Sequence, residues 1–365
     1  MGKSRTKPTL LMAGGTGGHI FPALAVASLL QEQGEQVVWL GSSNSMEAQR
    51  VPEAGIPFYK LDVSGLRGKG IKTLLLAPFK LIAGLWQAIK VLRQVQPSRV
   101  IGFGGFASGP GGLAAWLLGI PLYVHEQNAL PGMTNKSLAL LARKVFTAFP
   151  QAFAGNKKVH CVGNPVRESF LNIPPPTERY AQREGRLRLL VVGGSLGAQV
   201  LNTTLPAALS RLPADKLPCV RHQTGKKQQE TTQVLYNQLP EVARQVQVSC
   251  FIEDMAEALS WADLVICRAG ALTLAELAVV GVASVLVPFP FAVDDHQTHN
   301  ARFLANKEAA LLLPQPEFTA KALAELLTNQ LADRDCLASM AEKAFQLASR
   351  NAGQQMLNTI LKDAQ

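Results

Sequence analysis

The sequence predicts an α/β protein built from two doubly wound parallel-sheet domains, and three observations carry that reading. A strand, a glycine-rich turn and a helix open the chain, and the same order recurs near residue 187. Strand and helix patterns then alternate through the second half. The length of 365 residues, 47% of them hydrophobic, is enough for two domains with sizeable cores and excludes disordered or fibrous architectures.

The first element is an apolar strand over residues 9–13, followed by the loop Gly14-Gly15-Thr16-Gly17-Gly18-His19. A helix is expected from about Phe21 to Gln33, with Pro22 suited to its first turn and Gly34 closing it. A second strand follows over 36–40. The second half repeats this with a strand over 187–192, the loop Gly193-Gly194-Ser195-Leu196-Gly197 and a helix over 198–209. Strands are then expected near 219–223, 246–250, 263–267 and 284–288, and helices near 226–237, 254–260 and 271–280. The stiff run Asn172-Ile173-Pro174-Pro175-Pro176 reads as the linker, giving domains over 1–170 and 171–350. A helical tail over 332–362 breaks at Asn351-Ala352-Gly353, and the last helix, within 351–365, is expected to pack back on the first domain.

Five scattered cysteines with no C-x-x-C spacing argue against a disulfide framework or structural zinc and for a reducing compartment. The apolar part of the start, MGKSRTKPTLLMAGG, is too short for a secretory signal, and no stretch is long and apolar enough to span a membrane. The net charge of +10 is uneven: residues 1–170 hold 18 Lys and Arg against 7 Asp and Glu, and residues 171–365 hold 18 against 19. The basic half lacks the interleaved aromatics of a nucleic-acid binder. An anionic membrane surface or a diphosphate ligand fits it better.

The loop at Gly14 does not spell G-x-G-x-x-G, because Ile20 occupies the last position, and no acidic residue ends the second strand at Trp39-Leu40-Gly41-Ser42. A literal match, Gly102-Phe103-Gly104-Gly105-Phe106-Ala107, is followed by Ser108-Gly109-Pro110, which is expected to interrupt the helix start, so this segment reads as a flexible loop. A nicotinamide cofactor is disfavoured. His19, on a loop at the carboxyl end of the first strand, is a candidate general base. Gly193 to Gly197 offers backbone N–H donors for phosphate oxygens, with the Ser195 hydroxyl beside them.

Arg268-Ala269-Gly270-Ala271-Leu272-Thr273-Leu274-Ala275-Glu276 runs from a strand end into a helix. Glu276 either complements the helix terminus or accepts hydrogen bonds from a vicinal diol, and Arg268 is placed to neutralise a diphosphate. His125-Glu126-Gln127-Asn128 and Asp294-Asp295-His296-Gln297 follow buried strands, but consecutive side chains point in different directions, so neither reads as a metal site.

These motifs, with Pro22-Ala23 and Gly163-Asn164-Pro165-Val166-Arg167, lie in order over nearly the whole chain. The sequence resembles the undecaprenyldiphospho-muramoylpentapeptide β-N-acetylglucosaminyltransferases, which make the lipid-linked peptidoglycan precursor. That resemblance implies the GT-B fold, two Rossmann-like domains facing each other across a cleft. It implies transfer of GlcNAc from UDP-GlcNAc, with inversion, to the C4 hydroxyl of undecaprenyl-diphospho-MurNAc-pentapeptide on the cytoplasmic face of the inner membrane. No cofactor or catalytic metal is implied.

Carried over, His19 is the base, with Glu126 as the alternative, and Thr16, Gly17, Gly18 and Asn128 approach the donor from the first domain. Arg167, Ser195, Ile252, Ala271 to Glu276 and Gln297 hold the donor from the second domain. Two positions depart from the family pattern: Phe106 stands where Tyr is frequent, and His296 replaces the first residue of a Gln-Gln pair.

Residues 60–99 carry Lys60, Arg67, Lys69, Lys72, Lys80, Lys90, Arg93 and Arg99 against Asp62 alone, interleaved with apolar residues that include Phe79 and Trp86. This segment is expected to bind anionic lipid in the interfacial plane. Other cell-wall synthesis and division proteins are further candidate partners. Three competing functions share features of the chain: a transferase of glucose or galactose to a glycerolipid, a non-hydrolysing UDP-GlcNAc 2-epimerase, and an inactive scaffold.

Overall fold

The computed structural model of the chain describes residues 7–43, 45–63, 77–194 and 196–363. It divides into two compact units, Met1–Arg167 with Ser349–Gln365, and Glu168–Ala348.

Among the described residues, the first unit holds a seven-stranded sheet of β1 (Thr9–Met12), β2 (Val37–Ser42), β3 (Phe58–Leu61), β4 (Arg99–Gly102), β5 (Leu122–Glu126), β6 (Lys144–Thr147) and β7 (Val159–Cys161). All pairings are parallel, in the order β3-β2-β1-β4-β5-β6-β7. The second unit holds β8 (Arg188–Val192), β9 (Cys219–Gln223), β10 (Val246–Ser249), β11 (Leu264–Cys267), β12 (Ala283–Leu286) and β13 (Leu311–Leu312). Its order is β10-β9-β8-β11-β12-β13, again parallel throughout. Each sheet therefore reverses its strand order once, between β1 and β4 and between β8 and β11. Open α/β sheets leave a ligand crevice at the carboxyl end of such a pair.

Parallel sheets covered by helices on both faces need apolar side chains in both directions, and so β1, β2, β11 and β12 are buried along their whole length. In the first unit the pleat sorts the core into two layers. Leu11, Trp39 and Ile101 are register partners and pack against Ile20, Val26 and Leu30 of helix Gly17–Glu32 and Met356, Leu357 and Ile360 of helix Ala352–Asp363. Their neighbours Leu10, Met12, Leu40 and Val100 face Ala88 and Leu92 of helix Ala77–Val95 and Ala114 and Ala115 of helix Ser108–Leu117. Each fully buried Leu, Ile or Met contributes about 1.5–3 kcal/mol relative to exposure. In the second unit Leu189, Val191, Ile266 and Val285 join Leu201 and Leu205 of helix Gln199–Leu209 and Leu337 and Met340 of helix Arg334–Gln346.

Three local expectations are revised. The first helix begins at Gly17, with Thr16 as its N-cap, so His19 stands in the first turn and Pro22 lies inside the helix. Ser108-Gly109-Pro110 starts a helix rather than interrupting one, because the first N–H groups of a helix have no intrahelical acceptor and proline forfeits nothing there. Pro175 and Pro176 are likewise the N-cap and first residue of helix Pro176–Ala181 inside the second unit, and the units divide after Arg167 and after Ala348. Arg179 of that helix donates to the carbonyls of Val280 and Gly281. The tail forms two helices, Arg334–Gln346 and Ala352–Asp363; the second is tied to the first unit by Tyr123, whose hydroxyl donates to Oδ2 of Asp363 at 2.7 Å.

Candidate active site

In the first unit the loop after β1 meets the loop after β4 at the reversal of strand order. Gly14 N–H donates to the Gly104 carbonyl at 3.2 Å, and Phe103 N–H donates to Met12 at 2.7 Å. Gly104 and Gly105 have φ of +100° and +90°, and a Cβ would stand 2.9 Å from Cδ2 of His19 at Gly104 and 2.3 Å from the Gly14 carbonyl oxygen at Gly105. Only glycine permits that approach. The segment expected to be a flexible loop is thus pinned, and Ser108 Oγ adds a bond to the Gly104 carbonyl at 2.8 Å.

His19 lies half-buried over Gly104, its Nδ1 paired with Thr16 Oγ1 at 3.1 Å. Beneath the loop, Glu47 is fully buried; its Oε2 accepts from Gly15 N–H at 3.2 Å and its Oε1 from Ser42 N–H at 3.1 Å. Sequence reasoning missed Glu47, because an isolated glutamate in a short helix carries no motif.

Glu126, the alternative base, is corrected to a loop-building role. It is 1% exposed. Its carboxylate accepts from Asn128 N–H at 2.9 Å, Asn128 Nδ2 at 3.2 Å, Gly132 N–H at 3.1 Å and Asn135 Nδ2 at 2.9 Å. Four donors fill its lone pairs, so no basic oxygen faces a substrate. The buried neighbours tie the same loops together. His125 Nε2 lies 2.9 Å from the Gly163 carbonyl, and Gln127 Nε2 donates to Phe103 at 2.8 Å. Burial pushes His125 down to about 4, so the ring is neutral near pH 7. Arg167, which the resemblance groups with the second domain's donor residues, is the last residue of the first unit, with its guanidinium 5.1 Å from the centre of the Phe21 ring.

In the second unit the loops after β8 and β11 occupy the equivalent reversal. Gly193 N–H donates to the Gln223 carbonyl at 3.3 Å, and Gly194 adopts φ +83°. Ser195 lies outside the described residues, as do Arg67, Lys69 and Lys72 of the basic segment.

Gly270 is the N-cap of helix Ala271–Val280, which starts with Ala271, Leu272 and Thr273 and has no acidic residue in its first turn. Glu276 stands in the second turn, buried beyond Leu274 and Ala275, and that is too far along for a capping box. Its charge, with burial as the larger cause, raises the Cys267 thiol to about 12.

Arg268, expected to neutralise a diphosphate, is held within the second unit by three hydrogen bonds. Its Nη1 donates to the carbonyls of Val287 and Pro288, both at 3.1 Å, and its Nη2 to Gln315 Oε1 at 2.8 Å. Nη1 is thus engaged by the loop after β12 and Nη2 by Gln315 after β13. Gln297 Oε1 bridges Ala269 N–H at 3.2 Å and Phe289 N–H at 2.9 Å, drawing the same two loops together. Ile252 borders a cavity of about 280 Å³ lined also by Arg221, Gln247, Ser249, Phe251 and Glu257. Among the described residues no three His, Cys, Asp or Glu side chains form a group that could hold a metal.

The model of the glycosyltransferase family 28 N-terminal domain matches residues 9–147, and that of the C-terminal domain matches residues 188–356. The chain belongs to glycosyltransferase family 28. A protein of Alkalilimnicola ehrlichii named UDP-N-acetylglucosamine–N-acetylmuramyl-(pentapeptide) pyrophosphoryl-undecaprenol N-acetylglucosamine transferase is 52% identical over 359 residues, 98% of this chain and 99% of its own. A protein of the same name from Marinobacter nauticus is 50% identical over 355 residues, 97% of each chain. The crystal structure of Acinetobacter baumannii MurG superposes with a TM-score of 0.83 at 46% identity, covering 98% of this chain and 99% of that one. This family 28 chain is a glycosyltransferase with the GT-B fold, each unit a Rossmann-like sheet with the 3-2-1-4-5-6 strand order, extended in the first unit by a seventh strand, β7.

Proposed function

We propose that the chain transfers GlcNAc from UDP-GlcNAc to the C4 hydroxyl of undecaprenyl-diphospho-MurNAc-pentapeptide, with inversion. The observation that carries this reading is about 50% identity, over essentially the whole length, to transferases named for that donor and acceptor.

His19 takes the proton from the acceptor hydroxyl as its oxygen attacks the anomeric carbon. The bond from that carbon to the β-phosphate oxygen breaks, and UDP departs with the electron pair. Thr16 orients the imidazole, and Gly17, Gly18 and Asn128 approach the donor sugar. Glu126 and Glu47 hold the loops that carry these groups. In the second unit Ile252 faces the uracil and Glu276 accepts from the ribose hydroxyls. Thr273 and Gln297 approach the sugar. The charge on the leaving diphosphate is met by the N-terminal ends of helices Gln199–Leu209 and Ala271–Val280, where backbone N–H groups and the helix dipole favour anions.

The acceptor places the enzyme at a membrane surface. No described helix is long and apolar enough to cross a bilayer. Helix Ala77–Val95 has instead one face with Phe79 71%, Ile82 57% and Trp86 67% exposed, continued by exposed Lys90 and Arg93 in the same stripe. Its opposite face buries Ala88 and Leu92. An apolar stripe flanked by cations on a helix already anchored by its other face suits the interface of an anionic leaflet, on the cytoplasmic side of the inner membrane.

The test is incubation with UDP-GlcNAc and a short-chain analogue of the lipid acceptor. Formation of a disaccharide-diphospholipid, with UDP-glucose and UDP-galactose inert, supports the reading. Conversion of UDP-GlcNAc without acceptor would contradict it.

A further inference from the structure

Gln223, the last residue of β9, is 2% exposed and engages both neighbouring strands' outgoing loops at once. Its Nε2 donates to the Gly194 carbonyl at 3.1 Å, in the loop that leaves β8. Its Oε1 accepts from Ile252 N–H at 3.3 Å, in the segment that follows β10. β9 lies between β8 and β10 in the sheet, so one amide spans the crest of three strands.

We infer that Gln223 is a positioning residue that fixes the span between the nucleobase and diphosphate subsites of the UDP-sugar. The inference rests on the donor reading above, in which Ile252 faces uracil and the Gly194 loop faces the diphosphate. The primary amide is the group this task requires, since it donates at one end and accepts at the other. Glutamate keeps the acceptor and loses the donor, leucine keeps neither, and asparagine is one methylene too short to reach both loops. The bond to Gly194 also has an electrostatic use. A carbonyl oxygen left free beside a diphosphate repels it, and the Gln223 amide engages that oxygen within the sheet crest.

The experiment compares wild type, Gln223→Leu and Gln223→Glu by calorimetric titration with UDP and with uridine, by steady-state kinetics, and by melting of the apo proteins. For Gln223→Glu we expect UDP affinity to fall about tenfold or more and uridine affinity by less than about threefold, because the Ile252 side is retained. For Gln223→Leu both affinities fall, KM for UDP-GlcNAc rises about tenfold, and KM for the lipid acceptor stays unchanged. Equal losses for UDP and uridine in the Glu variant, or an unchanged donor KM in a folded Leu variant, would overturn the inference. If the Leu variant does not fold, the UDP-against-uridine comparison in the Glu variant decides alone. Failure of the wild type to bind UDP would instead overturn the donor reading, and this inference with it.

Discussion

Thr16 Oγ1 stands 3.1 Å from Nδ1 of His19, across one turn of the helix that both residues begin. In the proposed reaction Nδ1–H donates to the hydroxyl, which leaves the lone pair on Nε2 to take the acceptor proton. That bond spends the hydroxyl on the imidazole, and Thr16 makes no side-chain cap to its own helix. Thr16→Val is expected to lower kcat about 3- to 10-fold, the worth of one hydrogen bond, while Thr16→Ser keeps near-normal turnover. Steady-state rates at saturating donor and acceptor check this. A Val variant with normal kcat would show that the pair does not orient the base.

Glu276→Ala is expected to weaken UDP-GlcNAc binding by about 1.5–3 kcal/mol, the range for hydrogen bonds to a charged group. The loss should appear in binding and not in melting of the apo protein, since the carboxylate lies beyond the capping positions of its helix. Calorimetric titration and apo melting separate the two. Normal affinity with a lowered melting temperature would make Glu276 a structural residue.

Acid stability follows from the buried histidines. His222 is enclosed, with Nδ1 2.8 Å from the Tyr236 hydroxyl and Nε2 3.0 Å from Asn202 Oδ1, and burial lowers it to about 3. In the unfolded chain it takes a proton near pH 6.5. Between those values the unfolded state binds more protons, so the contribution is fully present above about pH 6.5 and is lost as pH falls toward 3. The slope is about 1.4 kcal/mol per pH unit for one histidine. His222→Gln, which preserves one donor and one acceptor, is expected to remove about that slope from the unfolding free energy measured in urea between pH 6 and 4. Parallel pH dependences for variant and wild type would refute it.

The residues that sequence reasoning placed well are those whose role is fixed locally. Glycine pairs after apolar strands mark the loops at the reversal of strand order, and His19 stands in the first helical turn after one of them. Arg268 and Glu126 look chemical for the same local reasons, yet the structure gives both of them structural partners. Val287, Pro288 and Gln315 reach Arg268 from 19 to 47 positions away, through the parallel pairing of β11 with β12. Glu126 is claimed by a turn that closes on itself within nine residues, a geometry with no sequence signature. Gln223 and Glu47 went unseen because their value lies in backbone groups of distant loops, which composition and spacing do not reveal.

Membrane attachment is tested with vesicles containing anionic lipid. Each basic residue near the surface contributes about 1 kcal/mol, so Lys80→Glu with Lys90→Glu should weaken binding at low salt by about tenfold or more. Trp86→Ser should weaken it at all salt concentrations, because the apolar contribution is not screened. Both variants should retain turnover with a soluble acceptor analogue. Equal vesicle binding by wild type and the double Glu variant at low salt would exclude this helix as the contact.

The central claim, direct displacement at the anomeric carbon with His19 as base, is tested most directly by the stereochemistry and His19-dependence of product formation. The wild type is incubated with UDP-GlcNAc, an α-linked donor, and a short-chain lipid acceptor, and the new linkage is read from its anomeric proton coupling. The account predicts a β-1,4 linkage formed by the wild type and a turnover about 10² to 10⁴-fold lower in His19→Ala, the usual worth of a positioned general base. An α linkage, or near-normal turnover in the His19→Ala variant, would contradict it.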